Sequence, residues 1–156
     1  MPDKPKIDTI DRNIIELLQK DGRMPNTLIA RTLGISESTV RTRLNRLIKE
    51  EIIQVVAVAN PLKVGCEAVG ILKIWVDVTK FDQVIAALKK IESVWFIVHT
   101  TGDSGLYAEF VAKSIDSLND LLYSKVYRID GIQRVETSVI LNYIKRDYNW
   151  KAAEKA

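Results

Sequence analysis

Residues 26–49, NTLIARTLGISESTVRTRLNRLIK, decide the fold of the first third of this chain. The stretch reads as a short helix from Asn26 to Leu33, a stop at Gly34 and a longer helix capped by Ser36. Gly34 can take the left-handed conformation that ends a helix without a Cβ penalty. In the longer helix Val40, Leu44, Leu47 and Ile48 share one face, which leaves Ser38, Thr42, Asn45 and Lys49 on the other. Thr39 and Arg46 lie beside them, and Arg41 and Arg43 on the flanks. A further helix comes first: Asp8 caps it, Ile10, Ile14, Leu17 and Leu18 recur at single-face spacing, and Asp21-Gly22 ends it. Helix, short helix, tight turn and longer polar-faced helix is the order of a helix-turn-helix.

Charge sharpens this reading. The net charge is +3, and all of it belongs to residues 1–63, which hold eleven Lys and Arg against eight Asp and Glu; residues 64–156 hold twelve of each. Within VRTRLNRLIK, residues 40–49, Arg41, Arg43, Arg46 and Lys49 occur with no acid. A recognition helix needs short polar groups that reach base edges and cations that neutralise phosphates at its sides. Ser38, Thr39, Thr42 and Asn45 suit the first task, and Arg41, Arg43, Arg46 and Lys49 the second; the capping Ser36 is counted with them as a DNA-binding candidate. Double-stranded DNA is the expected partner.

The rest of the composition narrows the class. With 47% hydrophobic and 28% charged residues the chain has matter for a core. It has no apolar run of membrane-spanning length and no apolar leader, so no membrane association is expected and a cytoplasmic location is. One cysteine, Cys66, and one histidine, His99, do not make a zinc site, and no metal or cofactor is expected. Gly102-Asp103-Ser104-Gly105 copies the tetrapeptide around the nucleophile of chymotrypsin-like proteases, but those need a distant histidine and acid converging across two barrels. Turn chemistry explains it, and the chain is not expected to be an enzyme.

After Gly65 the period changes. AVGILKIWVDV (68–78) reads as a strand, FDQVIAALKKI (81–91) as a helix, VWFIVHTT as a strand, GDSG as a turn and LYAEFVA as its hairpin partner. SIDSLNDLLYSKVYRI then reads as a helix and QRVETSVILNY as a last strand. This βαββαβ order is ferredoxin-like, giving an α+β protein. Both helices cover one sheet face, so the alternating apolar residues of ILKIWVDV and WFIVHTT call for a second cover, most simply another copy of the chain. Trp75, Trp95 and Phe96 are expected in the sheet core or that interface.

IDTIDRNIIELLQKDGRMPNTLIARTLGISESTVRTRLNRLIKEEIIQ, followed by VANPLKVG, resembles the Lrp/AsnC, or feast/famine, family of regulators, and the resemblance runs along the whole chain. It implies a winged helix-turn-helix over residues 1–52, a linker strand over 53–66 that pairs with its counterpart in a dimer, a ligand-sensing ferredoxin-like (RAM) domain over 67–146 and a tail over 147–156. Homodimers assembling into tetramers or octamers are implied as well. The family usually has Gly after the third helix, where this chain has Glu51. In the family the turn after the second strand lines an amino-acid effector site. That carries the role onto Thr101, Gly102, Asp103, Ser104 and Gly105, with Gln133 and Thr137 on the last strand near the turn. Gly105 replaces the more typical acid, and TTGDSGLY with GIQRVET looks closer to the asparagine-responsive branch. Two alternatives share the architecture: a sirohaem-decarboxylase-like enzyme and a stand-alone amino-acid-binding oligomer.

Overall fold

The structure is a computed structural model that describes residues 6–102 and 105–148. The chain forms two compact units: one runs to Val58 and takes in the chain again from Lys145, and the other is Ala59–Ile144.

The first unit is built from α1 (Thr9–Lys20), α2 (Asn26–Leu33) and α3 (Glu37–Lys49). Asp8 caps α1: its Oδ1 accepts the Asp11 N–H at 2.9 Å while Asp11 Oδ2 accepts the Asp8 N–H at 3.1 Å, a reciprocal box that satisfies two otherwise orphaned donors. Gly34 ends α2 at φ 66°. Ile14, Ile29, Val40 and Leu47 are fully buried and form the centre of the unit with Ile15 and Ala30. Ile48 departs from expectation and is 44% exposed. At 3.6 residues per turn it lies roughly 80° round from Val40, on the edge of the buried stripe.

Glu51 sits at φ 55°, the one non-glycine among the described residues with positive φ. Its N–H donates to Ile48 O at 3.0 Å and the Ile52 N–H to Leu47 O at 2.9 Å, the double closure of a Schellman motif. Ile52 packs on the helical core. The helix therefore ends in the geometry usually given to Gly, with a glutamate held in it.

The strand expected over residues 53–66 does not form within the described residues: residues 53–60 join no ladder, Pro61–Val64 is a 3-10 turn, and Val55, Val56 and Val58 are exposed. A strand needs a neighbouring strand's backbone groups, and no strand among the described residues lies alongside this segment.

The second unit follows the ferredoxin-like order: β1 (Ala68–Val76), α4 (Phe81–Leu88), β2 (Val94–His99), β3 (Leu106–Ala112), α5 (Ile115–Asn119) and β4 (Ile132–Val139). The sheet is antiparallel with strand order β2-β3-β1-β4. β1 is shorter than its apolar run because Asp77 accepts the Thr79 N–H at 2.9 Å and turns the chain into a single 3-10 turn. Leu72, Ile74, Leu106, Ala108 and Phe110 face the helices and pack on Val84, Leu88, Leu118, Leu121 and Val126. At Gly70 the strands come so close that a Cβ would stand 2.1 Å from Ser138 O.

The helix expected over 114–129 is regular only to Asn119; Asp120–Lys125 is a π-turn, and Val126–Arg128 is 3-10. The Val126 N–H bonds Leu121 O, five residues back. Leu118 and Leu121 are buried, and α-helical spacing would next bring Lys125 to the sheet. The wider turn delays the face by one residue, so Val126 is buried and Lys125 exposed.

Both edge strands carry a bulge. Between Val94 and Phe96 the register to β3 shifts, leaving Trp95 as the extra residue; opposite Trp75 and Val76, Gln133 is the extra residue of β4.

Candidate nucleic-acid interface and effector turn

The polar face of α3 is organised from its cap. Ser36 Oγ accepts the Thr39 N–H at 3.1 Å and shares hydrogen bonds with Ser38 Oγ at 2.8 Å and Thr39 Oγ1 at 2.7 Å. This places three hydroxyls at the N-terminal end of the helix, the end whose residues contact base edges when a recognition helix enters the major groove. Ser38, Arg41, Thr42, Asn45 and Lys49 are exposed, at the spacing of one continuous stripe. Arg41 pairs with Glu37 at 2.8 Å across one turn, with both side chains exposed. Such a pair contributes only about 0.3–0.5 kcal/mol and yields to a competing anion.

Arg43 and Arg46 lie differently. Although residues 40–49 contain no acid, α1 supplies two. Arg43 Nη1 lies 2.6 Å from Asp8 Oδ2 and 3.0 Å from Asp11 Oδ1, and Arg46 Nη2 lies 2.5 Å from Asp11 Oδ2. Arg46 also donates to the Lys6 carbonyl at 3.1 Å. The Asp11 side chain is only 1% exposed. The Asp11 backbone N–H, and after it the Arg43 guanidinium, hold the Asp8 carboxyl below the usual aspartate range. Asp8 and Asp11 in turn raise the Arg43 guanidinium above its ordinary value. Sequence reading recognised Asp8 only as a cap and gave Asp11 no role. The Asp8/Asp11 spacing does signal a capping box, but its pairing with arginines 32 to 35 positions away carries no local signal.

In the second unit Thr100 N–H donates to Gly105 O at 2.8 Å and closes the turn between β2 and β3. Gly102 at φ 120° and Gly105 at φ 75° occupy backbone conformations that L side chains rarely adopt. Thr101 and Gly102 are exposed; Asp103 and Ser104 lie outside the described residues. Gln133 and Thr137 are not near the turn within one chain. β1 lies between the hairpin and β4, which sets β3 and β4 about 10 Å apart at the usual strand spacing. Gln133 stands at the same end of the sheet as the turn, since Val76 pairs with Ile132 and Ile74 with Leu106. Thr137 pairs with Leu72, whose side chain faces the helices. His99 packs against Phe81 with ring centroids 4.6 Å apart.

The sheet face away from the helices carries Ile71, Trp75, Phe96, Val98, Tyr107 and Val111. Glu109 and Glu136 share this face, and its two cations lie over aromatics: Arg134 lies 4.6 Å from the Trp75 ring centroid and Lys73 5.8 Å from that of Tyr107. Trp95 is 58% exposed, so neither it nor Phe96 belongs to the core within one chain.

A three-helix unit with a polar recognition helix, joined to a ferredoxin-like domain with a Gly-rich turn, defines a DNA-binding regulator with a separate ligand-binding domain. Residues 7–54 match a winged helix-turn-helix DNA-binding family, and residues 70–150 match the Lrp/AsnC ligand-binding domain. The chain belongs to the Lrp/AsnC family of transcriptional regulators. It is 37% identical over 146 residues to an uncharacterised HTH-type transcriptional regulator of Pyrococcus horikoshii, covering 93% of this chain and 92% of the relative. It is 36% identical over 140 residues to the regulator LrpA of the same organism, covering 89% and 99%. Among solved structures, Escherichia coli AsnC is similar at 26% identity with a TM-score of 0.78, covering 91% of this chain and 97% of AsnC. The leucine response regulatory protein LrpA of Mycobacterium tuberculosis gives 28% and 0.84, covering 94% and 100%. A Neisseria meningitidis regulator in complex with L-Met shares the fold at 20% identity and a TM-score of 0.79, covering 93% and 96%.

Proposed function

We propose that this chain is a sequence-specific regulator that reads a two-fold DNA site as a homodimer, through Ser38, Thr42 and Asn45, with Arg41 and Lys49 on the backbone. The continuous exposed stripe of short polar groups and cations on α3 carries this reading. One such helix spans too few base pairs to specify a site, whereas a two-fold pair reads a palindrome. The aromatic-rich sheet face and the exposed Val55, Val56 and Val58 offer two surfaces for the pairing. The effector is an amino acid at residues 101–105, with Asp103 accepting its ammonium and backbone amides donating to its carboxylate. A second subunit brings Gln133 and Thr137 to the site. The neighbour bound to L-Met supports the ligand class. The cytoplasm is the proposed location; no helix among the described residues is long and apolar enough to cross a membrane.

Selection from random duplex DNA, repeated with each of twenty amino acids, tests both parts. A palindromic motif whose enrichment shifts with one amino acid is expected. No enriched motif refutes the DNA reading, and enrichment indifferent to all twenty refutes the effector.

A further inference from the structure

We infer that Asp8 and Asp11 limit how many phosphates this unit can hold, by keeping Arg43 and Arg46 on α1 and leaving Arg41 and Lys49 as the α3 cations that meet the duplex. The inference rests on the DNA reading proposed above and adds a role for two acids outside the recognition helix.

The two pairs of cations differ in what holds them. Arg41 is tied to Glu37, an exposed carboxylate on its own helix that water re-solvates as soon as a phosphate takes its place. Lys49 is exposed and has no carboxylate within salt-bridge distance among the described residues. Asp11, by contrast, is buried, and its two oxygens are shared between Arg43 at 3.0 Å and Arg46 at 2.5 Å. A phosphate that drew both arginines away would leave that carboxylate buried with no counter-charge and only the Asp8 N–H on it, a state far costlier than losing a surface pair. Arg43 is further held by Asp8 at 2.6 Å, and Arg46 by the Lys6 carbonyl. With side-chain exposures of 27% and 36%, the two arginines are also the less accessible ones. Four cations in residues 40–49 therefore present two phosphate ligands. The acids restrain sequence-independent affinity, so that discrimination falls to Thr42 and Asn45.

The salt dependence of binding counts phosphate contacts directly, at a slope of about 0.9 per contact. The full chain is titrated, between 50 and 200 mM salt, against a duplex carrying its selected site and against a random duplex. Arg41→Ala and Lys49→Ala should each lower the slope by about 0.9, which over that range is about 3.5-fold less loss of affinity. Arg43→Gln and Arg46→Gln should leave the slope unchanged even where they loosen α3 and weaken binding. The double variant Asp8→Asn, Asp11→Asn should steepen the slope by up to about 1.8 and raise affinity for the random duplex relative to the selected one. Asp8→Asn, at an exposed position, should steepen it by up to about 0.9 and serves where the double variant does not fold. A slope that falls by about 0.9 in Arg43→Gln or Arg46→Gln overturns the inference, as does an unchanged slope in folded acid variants. Absence of salt-dependent binding by the unsubstituted protein would instead defeat the functional reading, and this inference with it.

Discussion

Glu51→Gly tests the closure of α3 most directly. Glu51 is held at φ 55° by two hydrogen bonds that satisfy the last carbonyls of the helix, while Ile52 beyond it is anchored in the core. An L residue pays roughly 1–2 kcal/mol to sit in the left-handed region. Glycine relieves that strain, but returns roughly 0.5–1 kcal/mol of it through the greater freedom of the unfolded chain. The net expectation is stabilisation of the first unit by about 0.5–1 kcal/mol, a rise on the order of 3–6 °C for a unit of this size. The rise is read from thermal melts followed at 222 nm. A competing cause has the same sign: a carboxylate near a helix C-terminus opposes the macrodipole. Glu51→Gln separates them, because it removes the charge and keeps the strain. Stabilisation confined to the glycine variant supports the backbone argument. Equal gains from glycine and glutamine, or none from glycine, would refute it.

Three further outcomes are expected. Gly70→Ala should destabilise the second unit by about 3 kcal/mol or more, because its Cβ would meet Ser138 O at 2.1 Å and Phe110 Cζ at 2.7 Å; urea unfolding followed by tryptophan fluorescence measures it. Acidification should weaken the first unit through Asp8. Its folded pKa lies below the unfolded value of about 3.9, so its contribution is complete above that value and is lost as pH falls through the folded one; a thermal-stability profile that is flatter below about pH 4 in Asp8→Asn is the check. Asn45→Ala should lower discrimination at one base-pair position by about 1–3 kcal/mol without changing the salt slope, which binding to single-substituted duplexes would show.

What could be read in the sequence divides by the range of the interactions. Asp8, Gly34 and Ser36 mark helix ends through contacts with their immediate neighbours, so the three helices of the first unit are legible. The alternation in LYAEFVA likewise delivers β3 with its buried and half-buried faces. Three features were not legible, for different reasons. The π-turn depends on which of Lys125 and Val126 the sheet accepts, a tertiary choice that a periodicity of 3.6 misplaces. The strand expected over 53–66 has no ladder partner among the described residues of one chain. The four cations of α3 look alike in sequence, and only the fold shows that acids more than 30 residues away claim two of them. At the effector turn the glycines were legible from their chemistry, whereas the distance to Gln133 and Thr137 follows from strand order.

The bulges at Trp95 and Gln133 bear on how copies of this chain can be added to one another. Each interrupts the outermost row of backbone donors and acceptors on its own side of the sheet. A flat strand laid along β2 or β4 would pair for a few residues and then fall out of step, so the sheet is a poor template for its own elongation. Growth by adding strands end over end is thereby discouraged at both borders. The homodimer proposed above would then meet through side chains across a face, and an isologous contact of that kind closes on itself at two copies.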